Sequence, residues 1–252
     1  MTRKIALITG GSRGLGRSAA LKLAARGVDV ILTYRSQVAE AQAVVAEIEA
    51  LGAHAVALQL EAGDVASFPA FIAEVRNALQ THWQRSQFDY LLNNAGMGVY
   101  GSIAETSEAQ FDQLVNVHLK GVFFLTQGLL PLIAEGGRIL NVSSGLARFS
   151  LPGYAAYAAM KGAIEVFTRY LALELGPRRI AANVIAPGAI ETDFGGAAVR
   201  NNPQLNAMIA GQTALGRVGQ ADDIGSLMAL LLSDEAGWVN GQRVEASGGI
   251  HL

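Results

Sequence analysis

Tyr157 and Lys161 stand four residues apart in the segment NVSSGLARFSLPGYAAYAAMK (141–161), downstream of a serine pair, Ser143 and Ser144. Pro152 can open a helix and alanine dominates the next ten residues, so 152–174 is expected to be helical, with phenol and ammonium on one face a turn apart. A phenol beside a fixed cation is a general acid in outline, because positive charge favours the phenolate and lowers a pKa that starts near ~10. The serines close an apolar run that reads as a strand, so one hydroxyl can point at the same space. Alternation lets only one of the two do so, and the residues alone leave Ser143 and Ser144 as alternatives. Tyr154 is a weaker rival to Tyr157, since Ala158 stands where its lysine partner would be.

Positioning these groups requires a sheet. Short apolar runs at 4–9, 28–33, 54–60, 88–93, 137–143, 180–186 and 242–246 alternate with helical patterns at 14–26, 37–51, 67–81, 107–133, 152–174 and 221–232. That alternation predicts an α/β fold: a doubly wound, mostly parallel seven-stranded sheet with helices on both faces, Rossmann-like. No repeat, low-complexity stretch or linker divides the chain, so residues 1–252 read as a single domain. Ligands of such sheets bind beyond the carboxyl ends of the strands, where the serine pair lies.

The first strand end carries Thr9-Gly10-Gly11-Ser12-Arg13-Gly14-Leu15-Gly16. Gly10, Gly14 and Gly16 form a G-x-x-x-G-x-G turn before a helix, where backbone N–H groups and the helix dipole can hold a pyrophosphate. The spacing is not G-x-G-x-x-G, because Ser12 occupies the middle place. An NAD site would put an acid near the end of the second strand, and residues 30–39, VILTYRSQVA, contain none. Arg13 and Arg35 offer two guanidiniums able to grip a 2′-phosphate in forked geometry, so NADP(H) is the expected cofactor. Asp64-Val65 and Asn93-Asn94-Ala95-Gly96 close the third and fourth strand regions, and Pro187-Gly188 follows the sixth. Asn116 lies inside the 107–133 pattern, where an amide is a poor helix former unless it has something to bind.

Composition removes several classes. The chain is 51% hydrophobic and 16% charged with a net charge of −2, and no run of lysines or arginines suggests nucleic acid. The absence of cysteine excludes disulfides and thiolate chemistry. His54, His82, His118 and His251 lack metal-ligand spacing, so no metal is assigned, and His118 is expected to point away from Asn116. The run Ile5 to Ile8 is too short for a signal peptide. The longest apolar segment, 121–134, is interrupted by Thr126, Gln127 and Pro131 and falls short of the ~20 residues of a membrane span. A cytoplasmic protein without membrane contact is the expectation.

Taken together, these motifs resemble the short-chain dehydrogenase/reductase family in its single-domain form, over essentially the whole length. The resemblance implies that Gly10, Ser12, Arg13, Gly14, Leu15 and Gly16 form the cofactor turn, and that Asp64 and Val65 contact adenine. It implies that Asn93, Ala95 and Gly96 line the adenosine-ribose side, and that Pro187, Gly188, Ile190 and Thr192 hold the nicotinamide end. Asn116, Ser144, Tyr157 and Lys161 match the family's catalytic tetrad, its serine lying thirteen residues before its tyrosine. By the same resemblance Tyr157 and Lys161 also touch the cofactor, and Asn116 holds a water that connects the lysine to solvent. The chain is similar to the 3-oxoacyl-carrier-protein reductases, whose NADP preference Arg13 and the stretch Thr33-Tyr34-Arg35-Ser36 match. After Gly96, however, it reads MGVYGSIAE where many of them carry a Thr/Arg/Asp-containing stretch, so no acyl carrier is assigned.

The expected activity is hydride transfer between NADP(H) and a small-molecule carbonyl/alcohol pair, with Tyr157 as general acid/base. The rivals are a non-catalytic NADP(H) sensor or scaffold, an NAD-dependent alcohol dehydrogenase and a sugar-nucleotide epimerase or dehydratase. Residues 189–217, with Gly195, Gly196, Gly211 and Gly216 as hinges and Phe194, Val199, Leu205, Met208 and Ile209 as apolar cover, suggest a substrate lid. The 155–173 helix carries Ala155, Ala159, Ile164, Val166, Phe167, Leu171 and Leu173 around most of its surface, so a homodimer or homotetramer is expected.

Overall fold

A computed structural model describes residues 3–252. The strands are β1 (Ile5–Ile8), β2 (Asp29–Tyr34), β3 (Ala55–Gln59), β4 (Phe88–Asn93), β5 (Ile133–Val142), β6 (Ala181–Pro187) and β7 (Arg243–Ala246). They form one sheet in the order β3-β2-β1-β4-β5-β6-β7, all parallel. The helices are α1 (Gly14–Ala24), α2 (Val38–Ala50), α3 (Phe68–Trp83), α4 (Glu108–Val115), α5 (Gly121–Leu129), α6 (Ala155–Glu174), α7 (Ala198–Asn201), α8 (Pro203–Gly211) and α9 (Ala221–Leu231).

Strand alternation explains the two-sided core. Ala6, Ile8, Val30 and Leu32 pack on one face against α1, α2 and α9, whereas Ile5, Leu7 and Ile31 pack on the other against α3, α5 and α6. Each fully buried Val, Leu or Ile among them contributes roughly 1.5–3 kcal/mol relative to exposure, so the register is strongly specified. Ile8 pairs with Leu32 and Leu92, Asn93 with Asn141, Val142 with Ile185 and Pro187 with Ala246. The carboxyl ends therefore finish level, and the turns after them open on one rim.

Most expected boundaries lie within a residue or two of the observed ones; two regions differ. The 107–133 pattern is interrupted: α4 ends at Val115, a π-helical turn spans Asn116–Lys120, α5 runs to Leu129 and a 3₁₀ turn over Leu130–Leu132 leads into β5 four residues early. Pro131 lacks the N–H that would continue the helix. Gly121 passes so close to the Ala62 carbonyl that a Cβ there would collide with it. Pro152 does not open α6, which begins at Ala155, because Gly153 adopts φ +87° and accepts a hydrogen bond from the Gly101 N–H at 3.0 Å. Among the described residues no helix is long and apolar enough to cross a membrane.

Candidate active site

The glycine turn is held by residues from two neighbouring strands. The Gly10 N–H donates to Thr33 Oγ1 at 3.1 Å, and the Gly11 N–H donates to the Thr33 carbonyl at 2.8 Å. Asn94 Nδ2 donates to the carbonyls of Thr9 and Gly10 at 2.9 and 3.1 Å, while Thr9 Oγ1 accepts from the N–H groups of Asn94 and Ala95 at 2.9 and 3.0 Å. Gly10 and Gly14 take φ +65° and +55°, and a Cβ on Gly16 would strike the Gly10 carbonyl. A bare backbone cradle thus faces the positive end of α1, flanked by Ser12, Arg13 and Leu15, which fits a dinucleotide diphosphate. Sequence reasoning missed Thr9, Thr33 and Asn94, whose signal is a polar residue ending an otherwise apolar strand.

Elsewhere on this rim the expected residues divide. Tyr34 ends β2 half-buried, followed by exposed Ser36 and by Arg35, whose Nε pairs with Glu61 Oε2 at 2.6 Å. An acid does therefore stand beside the second strand, contributed by the segment after β3. Asp64 Oδ1 accepts from the Ala66 N–H at 3.2 Å and caps the turn that starts at Val65. Asn93 departs from its expected place on the rim: it is buried and donates to Thr126 Oγ1 and Asn141 Oδ1 at 2.9 and 2.8 Å, which ties β4, β5 and α5 together. Ala95 packs over Gly10, and Gly96 leaves room for the His118 ring. Gly188 follows Pro187 and approaches Ser247, Ile190 bridges to Gly219, and a methyl on Gly14 would lie 3.7 Å from Thr192. The two turns expected at opposite ends of the cofactor therefore face one another.

Tyr157 and Lys161 are both buried on α6. Lys161 Nζ donates to the Val142 carbonyl at 2.8 Å and lies 5.5 Å from the Tyr157 ring centre. Burial pushes the Tyr157 phenol well above its ordinary value, partly opposed by a hydrogen bond with Ser144, and burial alone brings Lys161 down to about 7. The expected lowering of the phenol's pKa by Lys161 is thus not realised in this structure. Desolvation sets the direction at the phenol, and Lys161 Nζ is engaged by the Val142 carbonyl.

Geometry also separates the two serines. Ser144 lies two residues past the end of β5 and caps the next turn, its Oγ accepting from the Leu146 N–H at 3.2 Å, on the Tyr157 side. Ser143 faces α6, donating to Glu165 Oε1 at 2.7 Å and to the Lys161 carbonyl at 3.2 Å. Arg243 Nε reaches the same Glu165 oxygen at 2.7 Å, and its Nη2 donates to the Ser144 carbonyl at 3.4 Å.

Asn116 opens the π-helical turn, and its Cβ lies 3.8 Å from where a Cβ on Gly63 would stand, in the turn after β3. The same π-helical turn brings His118 to the tyrosine, edge-to-face at 5.2 Å and 89°. His118 faces the site, its ring also lying against Gly96. The mouth is aromatic: Tyr100 and Tyr154 meet edge-to-face at 5.5 Å, and Phe194 lies 5.9 Å from Tyr157. Tyr154, the rival phenol, belongs to this rim.

The profile of the family described as Enoyl-(Acyl carrier protein) reductase matches residues 10–251. Tetrahydroxynaphthalene reductase PfmaG of Pestalotiopsis fici is 38% identical over 257 residues, covering 98% of this chain and 91% of its own. The promiscuous reductase LugOII, which catalyses keto-reduction at C1 during lugdunomycin biosynthesis, superposes with a TM-score of 0.94 at 36% identity, covering 100% and 99% of the two chains. A short-chain dehydrogenase from Burkholderia cenocepacia J2315, in complex with NADP, gives 0.90 at 36% identity and covers 98% of each. Along its whole length, this chain belongs to the short-chain dehydrogenase/reductase family.

Proposed function

We propose that the protein is an NADPH-dependent reductase of ketones, with Tyr157 as the proton donor. The observation that carries this reading is the buried Tyr157 phenol facing the half-buried Ser144 beyond the carboxyl end of β5, beside Lys161. The cradle of Gly10, Gly14 and Gly16 supports dinucleotide binding, and Arg13 and Arg35 favour the 2′-phosphate form, as does the NADP held by the Burkholderia relative. Bound NADPH supplies the hydride. Ser144 hydrogen-bonds the carbonyl oxygen and, with Tyr157, stabilises the charge that grows there, after which the phenol transfers its proton to that oxygen. A phenol held protonated by burial is suited to the donating role. Lys161, buried and close to the tyrosine ring, keeps positive charge near the phenolate that remains.

The aromatic mouth of Tyr100, Tyr154 and Phe194 and the relationship to a tetrahydroxynaphthalene reductase favour a ketone carried on a flat ring system. Residues 189–217 form its lid: Phe194 covers Tyr157 and is followed by Gly195 and Gly196 at φ +61° and +73°, in open surroundings. A second copy covers the outer face of α5 and α6. Ile164 and Leu171 are buried by the chain's own fold, which leaves Val166, Tyr170 and Leu173 exposed beside Phe123 and Phe124.

The test is NADPH oxidation against fused-ring ketones, simple ketones, oxoacyl thioesters, enoyl thioesters and keto sugars. Ring ketones should turn over, and Tyr157→Phe should lower kcat ~10²–10⁴-fold with NADPH binding retained. Turnover surviving in that variant would remove Tyr157 from the donor role.

A further inference from the structure

The donor needs a support that stays in place when the mouth opens. Two rings touch Tyr157. Phe194 is 47% exposed and sits beside the two left-handed glycines, so of the two rings it is the one free to move. His118 is 1% exposed and belongs to the π-helical turn between α4 and α5. Such turns add a residue to the helix and re-aim side chains, and here the re-aimed side chain is an imidazole.

The ring is anchored through one nitrogen. His118 Nε2 lies 2.7 Å from the Met97 carbonyl, so this nitrogen carries the proton and Nδ1 is left as a bare acceptor. The Met97 amide, 3.3 Å from the same nitrogen, cannot also donate to it, and the shorter contact decides. Gly96 permits the arrangement, since a Cβ there would lie 2.9 Å from His118 Cε1. Burial and then the charge of Lys161 hold the imidazole down at about 3, so it stays neutral. Tyr157 and Lys161 are the titratable groups that face it. Its buried Nδ1 finds no protein partner among the described residues.

We infer that His118 is a positioning residue for the proton donor: tied to the Met97 carbonyl, its ring fixes the Tyr157 ring and links the turn after β4 to the phenol. The inference rests on Tyr157 being the donor. It assigns the imidazole no proton transfer; its work is to keep the phenol beside Ser144 while Phe194 moves. A misplacement of about 1 Å at a reacting group can cost ~10²-fold, so support of this kind carries kinetic weight.

The test compares His118→Ala, His118→Phe and His118→Gln in the full-length protein with the best ketone. His118→Ala should lower kcat ~10–100-fold while KM and NADPH affinity stay within about twofold. The solvent deuterium isotope effect on kcat should rise, because proton transfer becomes slower. His118→Phe, which restores a ring against Tyr157, should recover a large part of the lost kcat, and His118→Gln, which keeps a donor to Met97 without a ring, a smaller part. The inference is overturned if kcat and the isotope effect match the parent in the variants that fold. It is equally overturned if kcat and NADPH affinity fall together, or if His118→Phe recovers nothing. Tyr157→Phe run alongside separates the two readings: an active Tyr157→Phe sinks the donor, whereas an inactive one with parent-like His118 variants sinks the support alone.

Discussion

Lys161 Nζ donates to the Val142 carbonyl at 2.8 Å, although the Tyr157 ring centre is only 5.5 Å away. The lysine is fully buried with no carboxylate bonded to it, and desolvation brings its pKa from 10.5 to about 7. Between those two values the unfolded chain binds more protons than the folded one, so stability rises with pH across that window. Below about pH 7 both states are protonated and the penalty is complete. Lys161→Met, without coenzyme, should therefore melt higher than the parent at pH 6, by up to a few kcal/mol in stability, with the gap closing towards pH 10. Thermal or urea unfolding across that range checks it, and a gap independent of pH would contradict it.

The two adjacent serines should behave differently. Ser144→Ala removes a group from beside the phenol and should lower kcat ~10²–10³-fold with little effect on stability. Ser143→Ala leaves Glu165 short of one donor and should cost about 1 kcal/mol of stability, with kcat reduced far less. Steady-state kinetics with urea midpoints for both variants decide the matter, and an equal loss of kcat in the two would overturn the assignment.

The Arg35–Glu61 pair sets up a competition at the 2′-phosphate end. Arg35→Ala should weaken NADPH ~10–100-fold and leave NADH almost unchanged, as expected for loss of a charge-assisted phosphate contact. Glu61→Gln should tighten NADPH by up to ~5-fold, since exposed pairs are weak and their loss frees the guanidinium. Fluorescence titration with both coenzymes measures the ratio. Parallel changes for NADH and NADPH would show that Arg35 is not what selects the phosphate.

Leu173 is 77% exposed on α6, three residues after Tyr170 at 60%. A charge on this face should break the contact between copies, so Leu173→Glu is expected to lower the mass measured by analytical ultracentrifugation without unfolding the chain. A parent that is already monomeric at micromolar concentration would refute the interface.

Period and spacing by themselves determined the alternation of strands and helices, the glycine turn after β1 and the pairing of Tyr157 with Lys161 on one helical face. Those properties follow from local geometry, because a helix repeats every 3.6 residues and a strand every two. Only the tertiary structure decided which element met which. His118 came to face Tyr157 from a π-helical turn, which no composition or period announces. Asn93 turned inward to Thr126 and Asn141 while Asn94 took the rim, and Glu61 reached Arg35 from across 26 residues of sequence. The phenol's pKa was raised by burial, which depends on everything packed around it. Contacts between elements are set by how the layers close on one another, and that information is held in the packing of the whole domain.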